Sequence, residues 1–201
     1  MPVEFKDSET KKNLMRAFAG ESQARNRYTF AADVAHQQKE FAIEHVFIFT
    51  ADQEKAHAEI YYNELKPFVG ETITVDGGYP VDLKTTVEEL LRSASHNEFE
   101  EHDDVYKKFE EKAREEGFPQ IAAKFKMIAE VEKIHGDRFL ELANQLRDNK
   151  LYISEVVTDW MCLHCGYIYQ GKEVPQVCPS CKKERGYFVR IDLAPYTKGQ
   201  L

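Results

Sequence analysis

Glutamates and histidines interrupt the apolar faces of this chain at the points where a helical core would be driest. Between Ser8 and about Asp148 the hydrophobic pattern steps by three and four residues through four long stretches, the period of one face of an α-helix. The first face reads Leu14, Phe18, Glu21, Arg25, Tyr28, Ala32, and the second Ile43, Phe47, Thr50, Glu54, His57, Tyr61, Leu65. The third reads Val87, Leu91, Ala94, Glu98, Glu101, Val105, Phe109, and the fourth Ile121, Phe125, Ile128, Glu132, His135, Phe139, Leu142, Leu146. A carboxylate buried alone is very costly, so it must be paired, protonated or bound to metal. Five glutamates on four inward faces meet mainly Arg25 as a basic partner, which makes bound metal the simplest resolution. Whatever this chain folds into must gather these groups inside.

The ends of the four stretches are marked. Ser8 suits an N-cap, and Pro67 ends the second helix by excluding the residue before it from helical geometry. Thr85-Thr86-Val87-Glu88 reads as a capping box, Gly117 as a stop and Pro119 as a first-turn residue. The links near His36–Lys39 and Gly117–Pro119 are short, whereas the middle link, Pro67–Leu83, is long. Extended at about 3.3 Å per residue it reaches roughly 50 Å. That spans the roughly 45 Å of a thirty-residue helix at about 1.5 Å per residue. Two hairpins joined by one long crossover make a mainly α, ferritin-like four-helix bundle. The bundle is expected over residues 1–148 and a small β and loop module over 149–201, with a loose tail from Ala194 to Leu201.

Glu54-Lys55-Ala56-His57 and Glu132-Lys133-Ile134-His135 share the Glu-x-x-His spacing, which puts both side chains on one helix face. Dinuclear carboxylate bundles use one such pair from each of two helices and a glutamate from each of the other two. Glu21 supplies one of these, and Glu101 or Glu98 the other. Glu98 is the one that would face a neighbouring edge of the bundle. The order Glu21, Glu54 then Glu101, Glu132 suggests a duplicated hairpin. Tyr28 and Tyr106 read either as phenols holding metal-bound carboxylates or as ordinary core aromatics. Arg25 would neutralise a carboxylate or snorkel out, and His36, His45, His96 and His102 belong to the surface or to local bonds.

Cys162-x-x-Cys165, twelve residues, then Cys178-x-x-Cys181 is a tetrathiolate signature. Four converging sulfurs imply zinc or iron, and spacing alone separates neither. Trp160, Tyr167, Tyr169 and Phe188 would shield the ion. A formal charge of −8 argues against nucleic acid and anionic membrane as partners, since both need a basic face. The polar stretch Met1–Asn13 shows no secretory signal and no run approaches a membrane span. A cytoplasmic setting is therefore expected, in which paired cysteines bind metal rather than each other.

The residues now carry a resemblance. Leu14-Met15-Arg16-Ala17-Phe18-Ala19-Gly20-Glu21-Ser22-Gln23-Ala24-Arg25-Asn26-Arg27-Tyr28 and Ile128-Ala129-Glu130-Val131-Glu132-Lys133-Ile134-His135 resemble the rubrerythrin family, over essentially the full chain. Cys165-Gly166-Tyr167-Ile168-Tyr169 and Cys178-Pro179-Ser180-Cys181 resemble rubredoxin. The resemblance implies di-iron ligation by Glu21, Glu54, Glu101 and Glu132, with Glu54 and Glu132 bridging and Glu98 and His135 serving the second iron. It implies that His57 binds the first iron when reduced and exchanges with Glu101 on oxidation, while Tyr28 and Tyr106 hydrogen-bond nearby. The four cysteines would hold one iron, with zinc possible in recombinant protein. The implied activity is reduction of hydrogen peroxide to water, in oxidative-stress defence, fed by an electron-donor redox protein or reductase. The chain departs from the pattern at His102, where a tryptophan or similar residue is expected. The short linker after Asp148 leads to the expectation of a head-to-tail homodimer. The competing classes are a ferroxidase or iron-handling bundle, and a redox or metal sensor with a zinc ribbon.

Overall fold

The computed structural model describes residues 3–195, so most of the expected loose tail lies outside the described residues. Helix α1 (Glu9–Gln37) starts where the Ser8 side chain accepts a hydrogen bond from the Lys11 amide, at 3.1 Å. Helix α2 (Phe41–Glu64) stops ahead of Pro67. Past a single 3-10 turn (Lys66–Phe68) the crossover carries no regular secondary structure until α3 (Val87–Glu100). The α3 box sits one residue later than expected: the Thr86 hydroxyl accepts from the Glu89 amide at 3.3 Å and donates to the Glu89 carboxylate at 2.7 Å. Val87 explains the register, because it is the first side chain of this helix to be buried.

The third helix is not uniform. A π turn (Glu101–Val105) separates α3 from α4 (Tyr106–Glu115). Gly117, at φ +90°, then reverses the chain into α5 (Pro119–Arg147). Helix α1 packs on α2, and α3 with α4 packs on α5, giving the two expected hairpins.

The bundle core is split. Tyr28, Phe47, Leu91 and Phe139 belong to one apolar cluster, and Leu14, Tyr61, Tyr106 and Phe125 to the other. Each such large side chain contributes about 1.5–3 kcal/mol on burial, and together the two clusters exclude water from the polar middle. The crossover is pinned at its middle and far end. Arg16 pairs with the Asp76 carboxylate at 2.7 Å, the Tyr79 hydroxyl donates to the Arg16 carbonyl at 3.1 Å, and Asp82 accepts from Arg27 (2.8 Å) and Asn97 (2.7 Å).

After α5 come β1 (Ile153–Cys162), β2 (Ile168–Glu173) and β3 (Phe188–Arg190), an antiparallel sheet in the order β2-β1-β3. Trp160, Phe188 and Val174 are its buried core, with Tyr152, Tyr169 and Tyr187 packed around them. Tyr167, expected in this shell, is exposed instead. The module sits on the α1–α2 end of its own bundle. There Tyr187 stacks on Phe41 with ring centroids 4.1 Å apart, Tyr152 donates to Glu40, and Gly186 lies against the Lys39 carbonyl. No helix among the described residues is long and apolar enough to cross a membrane.

Candidate metal centres

Two overlapping groups of side chains meet between the apolar clusters: Glu21, Glu54, His57 and Glu132, and Glu54, Glu98, Glu132 and His135. Glu54 and Glu132 belong to both. His57 Nδ1 lies 2.9 Å from Glu132, 3.3 Å from Glu54 and 3.8 Å from Glu21. His135 Nδ1 lies 2.9 Å from Glu132, 2.9 Å from Glu54 and 3.8 Å from Glu98. The two imidazoles face each other at 5.7 Å between ring centroids. The arrangement is close to two-fold symmetric, as a duplicated hairpin requires.

These contacts are poorly explained by hydrogen bonding. Glu21 Oε2, Glu54 Oε1, Glu98 Oε2, both Glu132 oxygens and His135 Nδ1 are buried without a hydrogen-bond partner. Buried polar atoms are nearly always satisfied, so six orphans converging on one region call for a cation. Oxygen and nitrogen donors bind at about 2.1 Å, and two neighbours at a right angle on one ion then sit about 3 Å apart. The 2.9 Å separations match that spacing. Without metal, protons must take its place. Burial raises Glu21 and Glu98 well above the usual carboxylate range, and neighbouring carboxylates reinforce it. Burial works the same way on Glu54, but His135 and His57 overcome it and hold Glu54 at about 2. Burial would depress His135, yet Glu132 and Glu54 push it up to about 11. Metal binding must expel such protons.

The two phenols pack as core aromatics in the apolar clusters and also reach the site. Tyr28 donates to Glu98 and Tyr106 donates to Glu21. Each thus fixes a carboxylate on the opposite hairpin, the usual role of a group behind a metal ligand. Glu98 is 1% exposed and lies within the cluster, so it faces the site and not an edge of the bundle. Glu101, expected as the firmer of the two, stands on the π turn, half-buried and outside both groups. The physical reason is the extra residue of that turn, which shifts the inward face between Glu98 and Tyr106. Arg25 is exposed, and the inward cation of α1 is Arg27, paired with Asp82. His36 and His102 make local bonds to Glu44 and Asp103. Stripe reading missed Gln53, whose Oε1 lies 3.1 Å from His135 Nε2. That bond makes Nε2 the protonated nitrogen and leaves Nδ1 for a metal. The only signal was its place beside Glu54.

In the module, Cys162 Sγ lies 3.8 Å from Cys181 Sγ, and Cys165 Sγ lies 3.8 Å from Cys178 Sγ. A disulfide would bring sulfurs to about 2.05 Å. Tetrahedral ligation at about 2.3 Å places them about 3.8 Å apart, so the four thiols are set for one ion. Cys165 is exposed, and backbone hydrogen bonding from Tyr167 lowers its thiol to about 7, favouring the thiolate.

Fold and donor sets together define a ferritin-like di-iron carboxylate protein that carries a rubredoxin-like four-cysteine module. The rubrerythrin family model matches residues 12–143 and 89–160, and the model for the rubrerythrin rubredoxin-like domain matches residues 160–189. The chain belongs to the rubrerythrin family. It is 40% identical over 185 residues to a rubrerythrin of Clostridium perfringens, covering 92% of this chain and 95% of that one. It is also 40% identical to a rubrerythrin of Porphyromonas gingivalis, over 94% of this chain and 92% of that one. Nigerythrin in its fully reduced, all-ferrous state superposes with a TM-score of 0.61 at 27% identity, covering 94% of this chain and 88% of that one. A Desulfovibrio desulfuricans bacterioferritin, 21% identical over 71% of this chain and 82% of that one with a TM-score of 0.63, shares the bundle fold. Family and site support iron-centre redox chemistry.

Proposed function

We propose that this protein reduces hydrogen peroxide to water at the Glu and His cluster, with electrons relayed by the four-cysteine iron. The observation that carries the reading is the presence of both donor sets in one chain. An iron-handling bundle would need the carboxylates but has no use for a tetrathiolate relay. The balance is one peroxide, two electrons and two protons to two waters. Bound irons would supply the electrons and the Lewis acidity that weakens the O–O bond. The chain's own groups do the rest. Glu54 and Glu132 would bridge the pair, Glu21 and His57 would hold one ion, and Glu98 and His135 the other. Tyr28 and Tyr106 keep Glu98 and Glu21 in place. His57 inside the cluster with Glu101 outside matches the reduced arrangement that the family resemblance implies, a neutral imidazole suiting ferrous iron and a carboxylate suiting ferric.

The division at about residue 148 separates a catalytic unit from a relay unit in this reading. Along α2, Glu54 lies thirteen residues from Phe41, about 20 Å at about 1.5 Å per residue. The four cysteines belong to the module docked at that end. A module seated there is far from its own cluster, which favours transfer to the partner's cluster in a head-to-tail homodimer. A soluble redox protein or reductase would recharge the module. Anaerobic stopped-flow mixing of reduced protein with peroxide tests the activity. Fast oxidation is expected, abolished in Glu54→Ala. Reduced protein inert to peroxide, or faster with ferrous iron and oxygen, would overturn the reading, and a fully active monomer would overturn the dimer.

A further inference from the structure

Between the crossover and the π turn lies a cavity of about 300 Å³ whose walls include Arg16, Gly20, Tyr79, Glu101 and Tyr106. It connects two environments. Tyr106 is 2% exposed and bonded to Glu21, whereas Tyr79 is 42% exposed. Of the seven carboxylate and imidazole side chains of the site, Glu101 alone is not buried. Elsewhere the two apolar clusters close the bundle above and below the site.

We propose that this cavity is the entry route to the cluster for iron and for small neutral reactants, and that Tyr79 sets its bore. The peroxide part rests on the function proposed above, while the iron part does not. The Tyr79 ring stands over Gly20, where an added Cβ would lie 3.7 Å from the ring carbon Cε1. The ring is held rather than loose. Its hydroxyl donates to the Arg16 carbonyl, and Arg16 Nε donates back to the crossover at the Asp76 carbonyl, at 3.1 Å. Glycines at 77 and 78 keep the crossover thin beside it. Hydrogen peroxide is small and uncharged at neutral pH and passes such a gap. An alkyl hydroperoxide carries a bulky group that the ring would exclude. The π turn places Glu101, partly buried, on the wall of this passage, so it is the site carboxylate that an entering molecule meets.

The experiment compares wild type with Tyr79→Ala and Tyr79→Phe. The first readout is the rate at which bipyridine strips ferrous iron from the bundle site, the tetrathiolate spectrum being followed separately. The second is the ratio of turnover with hydrogen peroxide to that with tert-butyl hydroperoxide. Tyr79→Ala should speed stripping and shrink the ratio, each by about tenfold, the scale at which pocket shape discriminates. Tyr79→Phe keeps the ring but loses its bond to the Arg16 carbonyl, and should fall between wild type and Tyr79→Ala in both. General loosening is controlled by Thr10→Val, which breaks the distant bond from Thr10 to Glu116. Stripping unchanged in Tyr79→Ala, or accelerated as much by Thr10→Val, overturns the proposal. Should no form reduce peroxide, the function proposed above fails, and the stripping rates still decide the route.

Discussion

Gly186→Ala tests how the sulfur module is held to its bundle. A Cβ at this position would fall 1.7 Å from the Lys39 carbonyl oxygen, 2.9 Å from the Lys39 carbonyl carbon and 3.2 Å from the Phe41 ring. Real Cβ contacts do not fall under 3.0 Å, so the two backbones must part by the difference from 1.7 Å, at least 1.3 Å. A radial gap of about 0.5–1 Å already forfeits a quarter to a half of a dispersion contact. The stack of Phe41 on Tyr187 would lose most of its about 0.5–1.5 kcal/mol. The hydrogen bond from Tyr152 to the Glu40 carboxylate, worth about 1.5–3 kcal/mol, would stretch or break. The exposed pair of Lys39 and Glu184 adds little. The docked state should therefore weaken by about 2–4 kcal/mol. Gly78→Ala is the control, since nothing lies within 4 Å of its added Cβ, and it should stay within about 0.5 kcal/mol. Chymotrypsin cleavage at Tyr152, half-buried and bonded to Glu40 in the docked state, reads the docking, with the rate rising by roughly 30- to 700-fold at about 1.4 kcal/mol per decade. The tetrathiolate spectrum and the bundle iron should not change. Cleavage in Gly186→Ala as slow as in Gly78→Ala would refute the reasoning.

Glu132→Ala removes a carboxylate common to both donor groups, so metal analysis should find the bundle iron below one per chain with the cysteine iron intact, and peroxide turnover should fall at least about 100-fold. Tyr106→Phe leaves Glu21 Oε1 buried without a donor, and urea unfolding of the metal-free protein should show a loss of about 1–3 kcal/mol. Deleting His102 should convert the π turn to regular helix, leaving iron content unchanged and the melting temperature equal or higher. Peroxide turnover should fall in that variant, because Glu101 loses its place at the cavity; undiminished turnover would show the π turn to be irrelevant.

Much of the bundle was legible because burial imposes a period. Ile43, Phe47, Glu54, His57 and Tyr61 lie on one face of α2 in the sequence and are all buried in the fold. Link lengths then paired the helices. What stayed hidden was anything a period does not encode. Ala24 and Arg25 stand equally well one turn from Glu21 and Tyr28, and it is the small Ala24 that enters the crowded helix interface. The Thr86 cap differs from Thr85 by one residue of register, fixed only by the burial of Val87. Gln53 acts from the edge of its face, through a bond to a residue 82 positions away. The tetrathiolate, by contrast, was nearly complete in its spacing, since two short knuckles leave their sulfurs little choice of partner.

The choice between Glu98 and Glu101 shows where a period misleads most. On a straight helix of about 100° per residue, Glu98 and Tyr106, eight residues apart, would point about 80° away from each other. Seven residues would bring them to within about 20°, and seven is the spacing of Glu21 and Tyr28. Yet Tyr28 bonds Glu98 and Tyr106 bonds Glu21, in matching fashion. The second hairpin therefore holds one residue more than the first and stores it in the π turn, a device common at functional sites. Its consequence is chemical. A strict repeat would give two equivalent metal positions, each sealed by one glutamate and one tyrosine. The inserted residue keeps that symmetric cradle and adds Glu101 beside it, half-buried on the wall of the cavity under Tyr79. The duplicated part of the sequence is thus suited to holding two ions alike, and the single extra residue to making one side of them reachable.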